Sequence, residues 1–117
     1  MSGTLTAMPR YVRPPTAQAR EREDALDALL STLGRAIVRQ LAVAGPQTTG
    51  ELMHVLGDVA PMTLRARMRS LESAHLITGD MAPESRNGRR VKYDVDLEAV
   101  RRVIADLDLY LTGQPLL

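Results

Sequence analysis

The run from Gln47 to Val95 constrains the fold of this 117-residue chain more than any other segment. It holds two short helical patterns, separated by Gly57 and a few turn residues, and then two strand-like patterns. Pro61 stands where the second helix should begin, a position that suits proline because its missing N–H has no helical partner there. A helix, a tight turn, a second helix and a β-hairpin in this order predict a mainly α fold of the winged helix-turn-helix class, with a two-stranded wing.

Capping signals define the two central helices. Thr48 and Glu51 stand three residues apart and predict a capping box, in which each side chain accepts a hydrogen bond from the other residue's backbone N–H. The first helix is expected to run to about Leu56, and the second from residue 61 to residue 74. One apolar stripe on that second helix predicts the face turned to the core: Leu64, Met68 and Leu71.

The hairpin follows directly. A strand is expected to open at residues 76–78, and the loop over residues 81–88 ends in Asn87-Gly88, a dipeptide typical of hairpin turns. The return strand alternates apolar and polar residues, as a half-buried strand does. Its apolar face carries Val91, Tyr93 and Val95. These signals predict a wing over residues 78–95.

Further helical patterns flank this run, and the chain is short enough for one domain. Residues 1–20 hold three prolines and three arginines without apolar periodicity, which predicts a flexible basic arm. Over residues 21–117 we expect the folded domain. A helix over residues 21–33 is expected to be broken or bent at Gly34, and a second helix to run from residue 35 to Gly45-Pro46. Asp96 is expected to cap a last helix over residues 97–111.

Charge is unevenly distributed along the chain, although the formal net charge is only +1. Residues 61–92 carry seven basic residues against three acids, whereas residues 21–60 carry three against six and residues 93–117 carry two against five. Positive charge therefore concentrates on the second central helix and the hairpin, as a surface that faces nucleic-acid phosphates requires. Fourteen of the fifteen basic residues are arginine. Arginine suits phosphates and guanine edges, but a bias toward arginine codons would explain the preference equally well.

Composition excludes several other classes of protein. There is no cysteine, which excludes disulfides, zinc fingers and thiol chemistry. The only aromatic residues are three tyrosines, so base stacking on single-stranded nucleic acid has little support. Neither His54 nor His75 has the neighbours of a nucleophilic site, and there is no phosphate-binding glycine loop. We expect no enzyme activity, no cofactor, no metal and no membrane partner, and a cytoplasmic location.

Two stretches carry a resemblance to a known family: RAIVRQLAVAGPQTTGELMHVLGDVAPMTLRARMRSLESAHLI and SRNGRRVKYDVD. In the order and spacing of their motifs they resemble the ArsR-type winged-helix repressors, with MarR-like regulators as cousins, over about Leu30 to Asp96. The resemblance implies DNA binding. It does not extend to metal sensing, because the family's sensors use cysteine pairs or histidine with carboxylates. Here the last helix has acids but no histidine, and His75 stands where the family usually has glycine.

The recognition helix of such a fold contacts base edges through its N-terminal residues. With the apolar stripe turned inward, we expect Met62, Thr63 and Arg65 to read bases, Arg69 to contact a base or phosphate, and Arg67 to contact phosphate or to pack. Thr48 and Thr49 begin the first helix of the motif, where they serve as caps, as phosphate ligands or as both. On the wing we expect phosphate or minor-groove contacts from Arg86, Asn87, Arg89, Arg90 and Lys92.

The two outer helices are more apolar than a small core needs, and the equivalent helices form a two-fold dimer in the resembling family. We expect a dimer interface with these residues: Leu26, Leu29, Leu30, Leu33, Val100, Val103, Ile104, Leu107, Tyr110 and Leu111. The sequence therefore predicts a homodimeric regulator of transcription that binds specific double-stranded DNA, most simply a repressor. Two alternatives remain: an architectural or recombination-control factor of a mobile element, and a winged-helix module that binds protein. Whether a small-molecule effector exists is left open.

Overall fold

The computed structural model describes residues 17–114, without the side chain of Gln18. This part of the chain contains five α-helices: α1 (Ala17–Leu30), α2 (Thr32–Ala44), α3 (Thr49–Leu56), α4 (Pro61–Ser73) and α5 (Leu97–Leu111). It also contains three short strands and one 3-10 turn: β1 (Gln47–Thr48), β2 (Ile77–Gly79), the turn Pro83–Ser85 and β3 (Lys92–Val95). The mainly helical fold with a small β wing is as predicted. None of the described helices combines the length and apolar character needed to span a bilayer.

The junction between α1 and α2 differs from the prediction. The break lies at Ser31, whose backbone is extended, and the prediction of a break at Gly34 is wrong. The Ser31 hydroxyl donates to the carbonyl oxygen of Ala28 at 3.1 Å and accepts from the N–H of Gly34 at 2.9 Å. Gly34 is a buried residue in the first turn of α2, where it permits a close approach: a Cβ there would lie 1.9 Å from the Ala28 oxygen.

The N-terminal helix also begins earlier than predicted. α1 starts at Ala17, so residues 17–20 of the predicted arm are helical. The rest of that arm lies outside the described residues. Three residues of α1 are buried in the core and account for its position on the domain: Ala25, Ala28 and Leu29.

The sheet is antiparallel, with β3 between β1 and β2. Ile77 pairs with Val95 and Gly79 with Tyr93, which forms the predicted wing hairpin. The third strand, β1, was not predicted: its two residues pair with Tyr93 and Lys92 of β3. Two residues are too few to show an alternating pattern. This pairing fixes the start of α3 to the base of the wing.

The core is aliphatic and lies where α2, α3, α4 and β2 meet. Its fully buried side chains are Ile37, Leu41, Leu52, Leu64, Leu71, Leu76 and Ile77. The stripe predicted on α4 is confirmed, since Leu64, Met68 and Leu71 are all buried. Val100 of α5 joins the same cluster.

The end of α4 is a tight reversal that leads into β2. The N–H of Leu76 donates to the carbonyl of Leu71 at 2.9 Å, and the N–H of His75 donates to that of Glu72 at 2.9 Å. This pair of bonds is a Schellman motif, in which the residue after the cap adopts the left-handed conformation. His75 occupies that position with φ of 62°. A glycine would adopt it without strain.

Candidate nucleic-acid interface

The N-terminal half of α4 presents an exposed arc. Met62 is 81% exposed, and Thr63, Arg65 and Arg69 are also exposed. The helix begins at Pro61 without a side-chain cap on its first turn. Pro61 has no N–H, and the Leu64 N–H donates to the Ala60 carbonyl, so the first turn offers an anion the N–H groups of Met62 and Thr63. Exposed side chains, positive charge and backbone N–H groups are therefore presented together on the N-terminal part of α4.

Arg67 lies at the edge of this arc, next to Met62 and Thr63. It is half-buried, and its Nε atom has no hydrogen-bond partner among the described residues. It borders a cavity of about 770 Å³ between α4 and α1, into which the acids Glu21, Asp24 and Asp27 also face. Arg69 reaches the edge of the same cavity. The surroundings of Arg67 favour the packing alternative over a phosphate contact.

The N-terminus of α3 is formed by the predicted capping box. The Thr48 hydroxyl accepts from the N–H of Glu51 at 3.1 Å, and the Thr48 N–H donates to the Glu51 carboxylate at 2.8 Å. That backbone hydrogen bond lowers the pKa of Glu51 below its usual range. The Thr49 hydroxyl donates to the Met68 sulfur at 3.7 Å. Both hydroxyls thus have internal roles, and the N–H groups of Thr49 and Gly50 are what the first turn of α3 offers to an anion.

The wing loop is closed by two hydrogen bonds between Asp80 and Lys92, where the chain leaves the paired strands. The Asp80 N–H donates to the Lys92 carbonyl at 2.9 Å, and the Lys92 N–H donates to the Asp80 carboxylate at 3.0 Å. At the tip, the Arg89 N–H donates to the Arg86 carbonyl at 2.8 Å, with φ of 70° at Gly88 between them. Asn87, Arg89, Arg90 and Lys92 are all exposed.

Arg86 differs from the other wing cations because it is half-buried and its guanidinium is bonded to other residues of the chain. Its two terminal nitrogens donate to the two carboxylate oxygens of Glu72 at 3.0 and 2.6 Å. Its Nε donates to the carbonyl of Met81 at 2.9 Å. The guanidinium carbon also lies 5.5 Å from the centroid of the Tyr93 ring, a cation–π distance. The hydrogen bonds from Arg86 hold the pKa of Glu72 below its usual range.

An open groove of about 800 Å³ runs between α3 and the wing. One wall carries Thr48, Thr49 and His54, and the other carries Arg89 and Arg90. The groove thus brings together these predicted phosphate ligands: Thr48, Thr49, Arg86, Arg89 and Arg90; Asn87 and Lys92 do not line it. Met62, Thr63 and Arg67 surround a separate shallow cavity of about 340 Å³ on α4. His54 was not among the predicted DNA contacts, although it lines this groove. Gly50 lines the same groove one helical turn before His54. Because residues four apart lie on the same face of a helix, this spacing could have indicated the position of His54.

The described residues contain no group of three or more histidine, aspartate or glutamate side chains arranged to hold a metal ion. Glu98, Asp106 and Asp108, the acids of the last helix, form no such group.

No protein-family model and no curated protein matches the sequence. Several solved structures match the fold. An ArsR family transcriptional regulator matches with a TM-score of 0.62 at 23% identity, over 79% of this chain and 93% of that chain. A MarR family transcriptional regulator from Enterococcus faecalis V583 matches with a TM-score of 0.56 at 20% identity, over 85% and 86% of the two chains. The AntR antimony-specific transcriptional repressor gives 0.56 at 16% identity, over 94% and 97%. The chain therefore has the winged helix-turn-helix fold of these regulators, as the resemblance of its sequence predicted.

Proposed function

We propose that this protein is a transcriptional regulator that binds specific sequences of double-stranded DNA. The observation that carries the proposal is the exposed N-terminal arc of α4, with Met62, Thr63 and Arg65 beside a wing whose tip cations are exposed. In helix-turn-helix proteins this arc enters the major groove. The similarity of the fold to three transcriptional regulators supports the same function.

In the proposed mechanism, a few side chains supply specificity and many charges supply affinity. Arg65 forks onto a guanine and Met62 contacts a thymine methyl group. Thr63 and Arg69 add contacts to bases or to the adjacent phosphates. Phosphate contacts come from Arg89, Arg90 and Lys92 on the wing, with Asn87 at its tip, and from the N–H groups of the first turn of α3, which begins at Thr49 after the Thr48 cap.

We further propose that two copies act as a homodimer through α5 and the end of α1. Five large apolar side chains are exposed on these helices: Leu30 (50%), Leu97 (41%), Ile104 (54%), Tyr110 (65%) and Leu111 (69%). Exposed apolar area of this kind is typical of an interface. Leu29 and Val100 were also assigned to the interface, but both are buried in the core of the chain itself. Leu33 and Val103 pack partly against that core, and Leu26 and Leu107 are half-buried.

A two-fold dimer would set two copies of α4 about one turn of DNA apart. A bound dimer would then cover a pseudo-palindromic site and block a promoter, which makes repression by occupancy the simplest regulatory outcome.

Selection of bound sequences from a random duplex pool, at near-physiological salt, tests this function. We expect an inverted repeat with half-sites about ten base pairs apart. Arg65→Ala should weaken binding to that site by about 1–3 kcal/mol and relax the preference at one base position. Arg39→Ala removes the same charge from an exposed position on α2 outside the proposed interface, and it should leave the preference unchanged.

Two other results would contradict the proposal in different ways. Binding to every duplex alike, lost as salt rises, would indicate the architectural alternative. No binding to any duplex would exclude the DNA-binding function and favour a module that binds protein.

A further inference from the structure

The guanidinium of Arg86 is bonded to other residues of the chain, whereas a cation that contacts DNA directly would keep its N–H groups available for phosphates. All three of its guanidinium nitrogens donate hydrogen bonds to Glu72 or Met81. The ion pair with Glu72 is bidentate, the geometry in which arginine holds a carboxylate most firmly. Arg86 belongs to the wing and Glu72 to α4, so this ion pair joins the two elements that would touch DNA.

The sequence also makes room for this guanidinium. A Cβ at Gly79 would lie 2.4 Å from an Arg86 terminal nitrogen and 2.8 Å from a Val91 methyl carbon. Gly79 does not have a positive φ, so the backbone conformation alone does not require glycine there. The required feature is space, and the space is filled by Arg86. The backbone N–H of Gly79 also helps to lower the pKa of Glu72, so β2 contributes to the surroundings of the same carboxylate.

The position of Glu72 on α4 relates the ion pair to the proposed base contacts. Arg65 and Glu72 are seven residues apart and therefore lie on the same flank of the helix. Arg67 lies on the opposite flank, toward α1. The wing is thus attached to the flank of α4 that carries Arg65.

We propose that Arg86 is a positioning residue, which fastens the wing to α4 through Glu72 so that Arg89, Arg90 and Lys92 meet the same duplex as Arg65. This inference rests on the proposed function. It assigns to Arg86 a role other than the direct phosphate contact expected from the sequence.

The change in DNA affinity caused by Glu72→Gln distinguishes a positioning role of Arg86 from a direct phosphate contact, because the two roles predict changes of opposite sign. It removes a negative charge from the proposed recognition helix, which on electrostatic grounds alone should tighten binding to DNA. If the ion pair positions the wing, Glu72→Gln should instead weaken binding to the selected site, roughly tenfold, the loss expected for one charge-assisted hydrogen bond. The slope of affinity against salt should also become shallower, because wing contacts to phosphates are lost.

The charge-reversed pair, Glu72→Arg with Arg86→Glu, keeps the net charge and restores an ion pair between the same positions. We expect it to recover part of the affinity that either single variant loses, whereas a direct phosphate contact at Arg86 predicts no recovery. Ser31→Ala, which removes a cap at the distant α1–α2 junction, controls for lowered stability. It should bind as the wild type does when both proteins are fully folded.

Hydrogen exchange of the free protein provides a readout without DNA. Glu72→Gln and Arg86→Gln should speed the exchange of amides in the wing, including those of Asp80 and Lys92, and leave α3 unchanged. Unchanged wing exchange, or equal or tighter DNA binding by Glu72→Gln, would overturn the inference. If the wild type binds no duplex but the wing exchanges faster in both variants, the fastening stands and only the proposed function fails.

Discussion

The missing side chain of Gly34 allows α2 to approach the end of α1 closely. Replacement of a helical glycine by alanine usually stabilises a protein by roughly 0.5–1 kcal/mol. At Gly34 the new Cβ would lie 1.9 Å from the Ala28 carbonyl oxygen, so α1 would have to move. We expect Gly34→Ala to destabilise the protein by about 1–3 kcal/mol, measured by urea unfolding.

Gly50→Ala provides the matched control, because the Thr48 hydroxyl at 3.9 Å is the one contact within 4 Å that a Cβ there would make among the described residues outside its own stretch of helix. That is an ordinary contact, and the variant should be at least as stable as the wild type. If Gly34→Ala and Gly50→Ala unfold at the same urea concentration, the close approach at Gly34 has no energetic consequence.

His75 is a second residue at which local conformation decides stability. Its φ of 62° lies in the left-handed region, which disfavours a residue with a Cβ. His75→Gly should therefore raise the free energy of unfolding by about 1 kcal/mol. His54→Gly, on the exposed side of α3, should lower it, since glycine weakens a helix interior. A fall in the thermal midpoint of His75→Gly would mean that the imidazole stabilises the helix end.

At the scale of elements, the ion pair between α4 and the wing should be visible in the pH dependence of stability. The pKa of Glu72 is lowered in the folded protein from an ordinary value of 4.5, first of all by the hydrogen bonds from Arg86. The resulting stabilisation is present above the ordinary pKa and is lost as pH falls through the lowered pKa of the folded state. Between about pH 6 and pH 3, the wild type should lose more stability than Glu72→Gln.

Urea unfolding at several pH values measures this difference, and Glu51, whose pKa is also lowered, contributes equally to both proteins. Parallel curves for the two proteins would show that the Arg86–Glu72 ion pair does not contribute to folding.

The same elements show what the sequence could predict. Caps and breakers are local signals, so the limits of α3 and α5 agreed with prediction, through the Thr48–Glu51 box, Gly57 and Asp96. The role of Gly34 depends on the packing of α1 against α2, which a glycine in a helical pattern does not reveal. The internal role of Arg86 depends on Glu72, fourteen residues away, and the two meet only after the hairpin has formed. From the sequence alone, Arg86 therefore could not be distinguished from an exposed basic residue near the hairpin turn.

At the scale of the whole molecule, the exposed apolar side chains of α5 predict that two copies of the chain form a dimer. Ile104→Glu should convert the proposed dimer to a monomer, because it places a charge in apolar surroundings. Its binding to an inverted repeat should weaken, whereas binding to a single half-site should not. Sedimentation equilibrium at micromolar concentration measures the mass.

Val43→Glu is the control for this experiment. Val43 is 70% exposed on α2 and is not among the residues of the proposed dimer interface, so the same new charge there should leave the mass unchanged. A wild type that sediments as a monomer at concentrations where it binds an inverted repeat would contradict the dimer.

The placement of β3 between β1 and β2 has a consequence for how such a domain can diversify. The backbone is fixed below the wing tip by strand pairing on both sides of β3 and by the bonds of Arg86. Residues 87–90 form an exposed turn beyond these attachments. Exposed loop tips tolerate exchange and insertion because little of the folded backbone depends on them. The wing tip is thus comparable to a hypervariable loop on an antibody framework: its sequence can change while the register of the strands below it does not.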